Sequence, residues 1–519
     1  MNSLVFNKGE GGSGTPLAGS DYISGLLFYS ATLPSGFSSS DRIKTFFSVA
    51  DAEDKGITNT SSDETKATAT YQVTTAGAAG DIVKITCATI DSTNPLAAIN
   101  SVGTLTLCEY TMLTADVVST TTAAAALAAA INARTYIHGF TASPATATVT
   151  ITAVAGQGTF LNSGTPYVVT ITGTVAGTLT QNVVAGVASE LDIMHYHISE
   201  YFRKNPKGKL YVGVYATADA TTFASVTLMQ NFANGEMRQI GIYQKTTAFV
   251  ASQCTTLQAV LTTLATNYRP LSAIYQSEFS TYADLTDLTD YTNLHLLTCP
   301  NVTVTIAQDG AAQGFKLWKA TGLTIGSVGA CVGDVSAASV QENIAWIDKF
   351  NLSNGTEMEV LAFANGQYYT ALSTGTITNL DAYGYVFGVK EIDFTGSFWN
   401  DSHTATATNS DYRYIEKNRA IDKAIRGMRS NLLPALGSNT YTNDDGTLTQ
   451  GTVSYFETLA QRALDDMIAA RELSNAKASI NASQNVISTS TLTIVVQIIE
   501  AGVARNIVVN IGYTTAITN

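Results

Sequence analysis

The residue pattern that most suggests metal chemistry is the run His195-Tyr-His-Ile-Ser-Glu200. Imidazole and carboxylate groups are common zinc ligands. The run lies in a predicted helix, where positions i and i+2 point in different directions, so His195 and His197 cannot share one coordination sphere. We therefore predict no metal site. The five cysteines are scattered without a C-x-x-C pair, and we expect buried, reduced thiols at Cys87, Cys108, Cys254, Cys299 and Cys331.

Two glycine-rich stretches are the candidates for phosphate binding. Residues 9–15 lack the Gly-Lys-Ser/Thr ending and the preceding strand of a phosphate-binding loop, and residues 322–329 match a dinucleotide loop only loosely. No G-x-S-x-G nucleophile elbow occurs in the chain. Because the five histidines of the 519 residues form no convergent set, we expect no catalytic residue, no cofactor and no enzyme activity.

The charge content points to a permanent assembly. The net charge of -13, from 28 basic and 41 acidic residues, argues against a nucleic-acid partner, which requires clustered Lys and Arg. Charged residues make up 13% of the chain, against roughly 25% in a typical soluble protein. A surface of hydroxyl and amide groups is poor at keeping a free monomer apart from its neighbours.

The same residues give no membrane signal. Every apolar run is broken by Thr, Ser or Gly before it reaches the roughly 20 residues of a membrane span. Residues 1–15 lack the charged start and apolar core of a signal peptide. We expect a protein made in the cytosol, without a signal peptide and without membrane insertion.

The stretch 57–189 is a separate compositional unit. No Asp, Glu, Lys or Arg occurs from 135 to 189, and Thr alternates with Val and Ile at 145–154 and 167–175. A period of two places the two residue types on opposite faces of a strand. We predict a compact β-domain with one Ala-rich helix at about 122–133.

The following region has an α/β rhythm. Helices are predicted at about 190–203, 223–234 and 249–267, each followed by a short apolar strand. We expect the strands to pair in parallel through right-handed crossovers. The four predicted strands are 209–215, 238–243, 270–275 and 294–298.

The last hundred residues predict two helices and three strands. The helix at about 411–432 places four apolar residues on one face and three basic residues on the opposite face. The helix at about 453–471 buries five residues and exposes two carboxylates. The apolar face consists of Ile421, Ile425, Met428 and Leu432; the basic stripe of Arg419, Lys423 and Arg426; the buried set of Phe456, Ala460, Ala463, Leu464 and Met467; and the exposed pair of Asp465 and Asp466. Strands are predicted near 478–487, 491–499 and 504–511.

Three segments together resemble the subunit of a contractile tail sheath, the family of phage tails and contractile injection systems. The first is Asp-Tyr-Ile-Ser-Gly-Leu-Leu-Phe-Tyr at 21–29 with the segment 43–57. The second is Tyr-His-Ile-Ser-Glu-Tyr-Phe-Arg-Lys-Asn-Pro at 196–206, which continues into the strand at 208–214. The third is the C-terminal order of two helices, joined by a loop with Asn-Asp-Asp-Gly at 443–446, and three strands.

This resemblance implies an α+β or α/β fold with a discontinuous sheath core. The core contains a parallel-type sheet, carries an inserted mainly-β domain on its outer surface, and ends in a helix-plus-antiparallel-sheet subdomain. The implied domains are an N-terminal linker arm (1–20), the core (21–56 and 190–410), the inserted β-domain (57–189), the C-terminal subdomain (411–505) and a C-terminal linker strand and tail (506–519).

The function implied by the resemblance is structural. Copies would form a helical homopolymer around an inner tail tube protein, bounded by baseplate and tail terminator proteins, and would contract to drive the tube through a target envelope. The particle would be a virion tail or a cytoplasmically assembled injection system. The alternative is a cell-surface protein, of the S-layer or adhesin type, with a β-rich binding domain.

The candidate contacts fall into two groups. Charged side chains are candidates for contact with the tube or adjoining subunits, and a solvated helix face is the alternative. The chain ends are candidates for inter-subunit linkers, because such ends can add a strand to a neighbour's sheet; frayed ends are the alternative. The charged candidates are Arg419, Lys423, Arg426, Asp465 and Asp466; the linker candidates are Gly9, Gly12, Gly14, Ile507, Val508, Val509 and Ile511.

Overall fold

A computed structural model describes residues 21–90, 99–101, 103–282, 285, 291–509 and 511–513. The predicted linker glycines Gly9, Gly12 and Gly14 lie outside these described residues. The described chain mixes helices with one six-stranded sheet of parallel and antiparallel strands and with several smaller antiparallel sheets.

The helices and strands follow one another in four groups. The first is β1 (Ile23–Tyr29), β2 (Ile43–Phe46) and α1 (Val49–Glu53). The second is β3 (Thr68–Thr75), β4 (Ile82–Ala88), β5 (Ile99–Ser101), β6 (Thr104–Thr111), α2 (Thr120–Asn132), α3 (Thr135–His138), β7 (Thr141–Ala145), β8 (Thr148–Thr152), β9 (Tyr167–Thr172) and β10 (Ala176–Val184).

The third group begins with α4 (Glu190–Lys204), β11 (Lys209–Tyr215), α5 (Ala224–Phe232), β12 (Gln239–Ala248), α6 (Ala251–Thr266), β13 (Ser272–Glu278), β14 (Thr298–Cys299), β15 (Val302–Val304) and β16 (Ala307–Asp309). It continues with α7 (Gln313–Thr321), α8 (Val328–Ala337), β17 (Leu361–Phe363), α9 (Thr374–Ala382), β18 (Gly388–Val389), β19 (Phe398–Trp399) and β20 (Ala405–Thr406). The fourth group is α10 (Ile415–Leu432), α11 (Gln450–Ala469), β21 (Leu473–Ser479), α12 (Val486–Thr489) and β22 (Val495–Glu500).

The six-stranded sheet is assembled from both sides of the inserted stretch. Its order is β15-β13-β12-β1-β11-β2, and β1 pairs in parallel with both β11 and β12. All seven residues of β1 are buried, as expected for a parallel strand covered on both faces. Helix α8 packs on one face, where Gly241 meets Val328 and Val332, and α5 packs on the other, where Gly213 meets Met229.

The predicted parallel strands require one correction. Strands β11, β12 and β13 lie where the sequence predicts them, but the fourth parallel strand is β15 rather than 294–298. Residues Leu294–Leu296 form a turn of 3-10 helix, and Thr298–Cys299 pair antiparallel with β20 outside the main sheet. Strands β11 and β12 are also not neighbours, because β1 lies between them.

The stretch 57–189 has a hydrophobic core of its own. Two four-stranded antiparallel sheets, β10-β3-β8-β7 and β5-β6-β4-β9, enclose it together with α2. The predicted alternation is confirmed in β8, where Val149 and Ile151 are buried and the threonines between them are half-buried. The predicted Ala-rich helix is α2, which is capped by Ser119.

Reciprocal carboxylate contacts join this unit to α4. Asp63 accepts hydrogen bonds from the hydroxyl of Ser189 at 2.5 Å and from the backbone N–H of Glu190 at 3.0 Å, at the start of α4. In return, Asp192 on α4 accepts from the backbone N–H and the hydroxyl of Ser61 at 2.9 and 2.7 Å. Carboxylates near a helix N-terminus are favourable, so Asp63 and Asp192 stabilise the start of α4.

The C-terminal group is built on two packed helices. The prediction for the second helix is confirmed in α11, which buries Phe456, Ala460, Ala463, Leu464 and Met467. The predicted strands are partly wrong: β21 ends at Ser479, a short helix α12 follows, and no strand forms over 504–511 among the described residues. No helix of the described residues has the length and apolarity to cross a membrane.

Candidate inter-subunit surface

Strands β21 and β22 form a two-stranded antiparallel sheet with one covered face and one open face. The inner face packs Leu473, Ala476 and Ala478 against the buried side of α11. The outer face exposes Val495 and Ile499. Two-stranded ribbons are marginal alone, so the stability of this sheet depends on α11 beneath it.

The two edges of this small sheet differ. On β21, the side chain of Gln461 bonds to the N–H of Ala478 at 2.8 Å and to the C=O of Ala476 at 3.1 Å. In an antiparallel pair, two directly opposite residues either bond to each other or both turn their main-chain groups outward. Val496 lies opposite Ala478 and Ile498 lies opposite Ala476, so the main-chain groups of Val496 and Ile498 also face outward, at the other edge of the sheet. No described residue hydrogen-bonds to those outward groups of β22.

The chain after β22 carries exposed apolar side chains. Residues 501–509 and 511–513 adopt neither helix nor strand, which corrects the strand predicted at 504–511. The physical reason is that a strand needs a partner ladder, and no other described strand pairs with this segment. The exposed fractions of the predicted linker residues are 81% for Ile507, 82% for Val508, 70% for Val509 and 92% for Ile511.

Arg505 anchors the start of this segment to the rest of the chain. Its guanidinium bonds to the carboxylates of Asp401, at 2.8 Å, and of Glu416, and lies 3.4 Å from the centre of the Tyr414 ring. Glu416 is buried at the start of α10, and burial raises its pKa while Arg505 opposes that shift. The segment therefore leaves the subunit from a fixed point near the start of α10.

The predicted basic stripe of α10 faces inward, which corrects its expected exposure. The carboxylate of Asp21 bonds to Arg426 at 2.8 Å and to Lys423 at 2.9 Å, and Lys423 also bonds to Glu472 at 2.5 Å. Arg419 is buried and donates to the backbone C=O groups of Ala338 and Ser339 and, at 3.4 Å, to that of Asp21. The predicted apolar face is covered only in part, and Ile425 is exposed.

Asp21 is thereby fixed at the start of the described chain. Burial acts to raise its pKa, but Lys423, Arg426 and Arg419 more than offset that effect, so the pKa lies below its usual value. Helix α10 thus binds two distant parts of the chain. Arg426 on one face binds Asp21, just before β1, and Glu416 in the first turn binds Arg505, just after β22. The helical periodicity of α10 indicates neither partner, because Asp21 and Arg505 both lie outside this helix.

The predicted acidic pair lies on the exposed side of α11. Asp465 and Asp466 are exposed, and Asp465 accepts a hydrogen bond from Gln461 at 2.8 Å. Nothing in the structure tests a contact of either carboxylate with another protein. That role stays a prediction.

The side chains of His195 and His197 point in different directions, as the helical spacing predicts. His195 contacts Glu53 at 2.9 Å, whereas His197 is buried against the rings of Phe28 and Tyr243. Burial lowers the pKa of His197 to about 3, so its ring is neutral. The described residues contain no group of three or more metal-ligating side chains, and all five cysteines are buried free thiols.

The comparisons with known proteins give one partial family match and several structural alignments. The family model described as "DUF2586, C-terminal domain" matches residues 411–518. No curated protein sequence matches the chain.

Three of the aligned structures are sheath proteins of low sequence identity. The helical sheath of the anti-feeding prophage in its contracted state aligns with a TM-score of 0.43 and 15% identity, over 62% of this chain and 81% of that one. The contracted sheath of the extracellular contractile injection system PVC gives 0.41 and 12%, over 62% and 80%. A sheath tail protein from Listeria innocua gives 0.37 and 10%, over 92% and 95%.

Proposed function

We propose that this chain is the structural subunit of a contractile tail sheath, which polymerises helically around an inner tube and contracts to drive the tube through a target envelope. The sequence segments at 21–29, 196–214 and 411–511 that resemble such subunits support this proposal. Its partners would be further copies of itself, the inner tube protein, and baseplate and terminator proteins.

The observation that carries the proposal is an unmatched pair of features in one subunit. Strand β22 offers an edge without a partner, and the segment after Arg505 offers four exposed β-branched residues without a partner. A strand added to a sheet edge gains main-chain hydrogen bonds and buries alternate side chains. The edge of β22 could accept a strand and the segment after Arg505 could provide one, yet the two do not pair with each other within the described chain.

Such a contact would propagate. A donor segment of one copy bound to the acceptor edge of the next is a head-to-tail contact, in which the two copies use different surfaces. Contacts of this kind form rings if the rotation closes and helical filaments if it does not. A sheath around a tube requires the second outcome.

The inserted unit would lie on the outer surface of the cylinder. It has its own core and contacts the rest of the chain at its base, through Asp63, Asp192 and the loop at Thr159, whose hydroxyl donates to Ala320 at 3.0 Å. A unit attached at one end leaves the rest of the chain free to contact neighbouring copies.

The charged candidates form two groups, one bonded within the chain and one exposed. Arg419, Lys423 and Arg426 already bind partners within the subunit, so we propose that they hold the start of β1 against α10. Asp465 and Asp466 remain the candidates for contact with the tube or with adjoining subunits.

Electron microscopy of the purified full chain tests the proposal. Hollow helical cylinders are the expected particles. Flat lattices would favour the S-layer alternative, and a chain that stays monomeric at all concentrations, in the presence of its tube protein, would contradict the proposal.

A further inference from the structure

Side chains of α11 bond to the main chain at the outer edge of β21 and just beyond its end. Gln461 accepts from the N–H of Ala478 and donates to the C=O of Ala476, and Glu457 accepts from the N–H of Ile480 at 2.8 Å. The remaining amide hydrogen of Gln461 is donated to Asp465. Two outward main-chain groups that an added strand would use, the N–H of Ala478 and the C=O of Ala476, are therefore already bonded.

The spacing of these side chains matches the strand. Glu457, Gln461 and Asp465 are four residues apart on α11, which is a rise of about 6 Å per step. Alternate residues of a strand are about 6.6 Å apart, so one step along the helix advances one outward-facing position of β21. Gln461 thereby reaches two successive outward-facing positions of β21, Ala476 and Ala478, and Glu457 reaches the residue that follows the strand, Ile480.

Strand β22 has no such side chains at its outer edge in the described chain. Its outward groups at Val496 and Ile498 lack a partner among the described residues, although Gln484 bonds to both main-chain groups of Thr493, before the strand begins. The sheet therefore has one closed edge and one open edge.

We propose that Gln461, supported by Glu457 and oriented by Asp465, closes the β21 edge and directs strand addition by a second copy to β22. This inference rests on the proposed function, because it assumes that a segment of another copy is the added strand. With one edge closed, each sheet accepts one segment. The polymer then grows without a second, competing contact on the same sheet.

The experiment compares strand binding by the full chain and by edge variants. Each protein carries Ile511→Asp, which weakens its own segment as a competitor, and each is titrated with a fluorescent peptide of residues 503–513. The test variant is Gln461→Leu with Glu457→Leu, which keeps the helix and removes both hydrogen-bonding side chains. The matched control is Gln484→Leu, which removes a carboxamide that bonds main-chain groups elsewhere.

We expect one peptide per subunit for the parent and for Gln484→Leu, and two for the edge variant. Amide hydrogen exchange supplies the second measurement: without Gln461, the Ala478 amide should exchange about five-fold faster, since a net hydrogen bond of about 1 kcal/mol is lost. Asp465→Asn should give a smaller increase, and Gln484→Leu none at Ala478.

The outcomes separate this inference from the proposed function. One peptide on every variant would overturn the closed edge while leaving strand addition intact. No peptide on any variant would overturn strand addition itself, and with it this inference. Unchanged exchange at Ala478 in a folded edge variant would also overturn the role of Gln461.

Discussion

The inserted unit and the C-terminal sheet both contain strands rich in Val and Ile but differ in what covers these side chains. In the inserted unit, Val149 and Ile151 pack into a core that this unit encloses by itself. In the C-terminal sheet, Val495 and Ile499 point to solvent. Strand-forming side chains therefore favour a strand in both regions, whereas a second apolar layer within the same chain decides whether the apolar face of that strand is buried.

The edge strands of the two regions also differ in whether side chains bond to their outward main-chain groups. Asn132 bonds to both main-chain groups of Ala142 on edge strand β7, and Gln181 does so for Tyr167 on edge strand β9. Edge strands are usually protected by charge or by a covering element. Here carboxamides supply that protection in a chain with few charges, and β22 lacks it.

The largest expected effect is on assembly and tests the exposed segment. Ile511 and Ile392 are almost equally exposed, at 92% and 91%, but only Ile511 follows the open strand. Ile511→Asp should raise the concentration needed for polymerisation at least about a hundred-fold, since one buried Ile contributes about 1.5–3 kcal/mol and a charge adds a burial cost. Sedimentation of the polymer measures it.

Ile392→Asp is the matched control and should leave polymerisation unchanged. If both substitutions weakened assembly equally, the exposed segment would not be a specific donor. Thermal unfolding of both variants should match that of the parent, because neither side chain is packed in the subunit.

The next effect is on stability and compares the two β regions directly. Ile151→Ala removes a buried side chain from the core of the inserted unit, so the free energy of unfolding should fall by about 2–5 kcal/mol. Ile499→Ala, on the open face, should change it by less than about 0.5 kcal/mol. Denaturant unfolding measures both, and equal losses would show that Ile499 is packed in the free subunit.

Removal of the Arg505 anchor should have an intermediate effect. Arg505→Met leaves the buried carboxylate of Glu416 without its cation and should cost about 2 kcal/mol, below the range for a fully buried pair because Arg505 is partly exposed. Arg505→Lys, which keeps the charge, should recover part of the loss. A stable Arg505→Met subunit would show that the segment is held by other contacts.

The smallest effect concerns Asp21 and depends on pH. Its folded pKa lies below the unfolded value, so its ionised form contributes stability above about pH 4, and that contribution disappears as pH falls through the folded pKa. Asp21→Asn should cost about 1 kcal/mol at pH 7 and progressively less as the pH falls through the folded pKa of Asp21. The exposed Asp41→Asn is the control and should change the free energy of unfolding at pH 7 by less than about 0.5 kcal/mol.

Local patterns predicted the elements well where burial follows from one helix or strand. The five buried residues of α11 and the bounds of β11 are examples. Prediction failed where a distant residue decides the outcome. Lys423 and Arg426 were predicted to form a basic stripe open to contact with other proteins, because helical periodicity does not reveal Asp21, which lies 405 residues before Arg426.

The wrong prediction of a strand at 504–511 has a related cause. Its residues have strand-forming side chains, but propensity does not supply the partner ladder that a strand requires. Arg505, a single cation in an apolar run, was the available signal that the segment is anchored at its start. No pattern in the sequence pointed to Gln461.

The central claim is that the segment after Arg505 in one copy pairs with β22 of another, and disulfide crosslinking tests it most directly. Val508→Cys is placed in one tagged chain, and Val495, Gln497 or Ile499→Cys in a second, since all native cysteines are buried. Mixing and oxidation should link the two chains, and the yield of the crosslink should be highest at one of the three β22 positions. Equal linkage when Ile392→Cys replaces Val508→Cys, or linkage only within single chains that carry both cysteines, would contradict the claim.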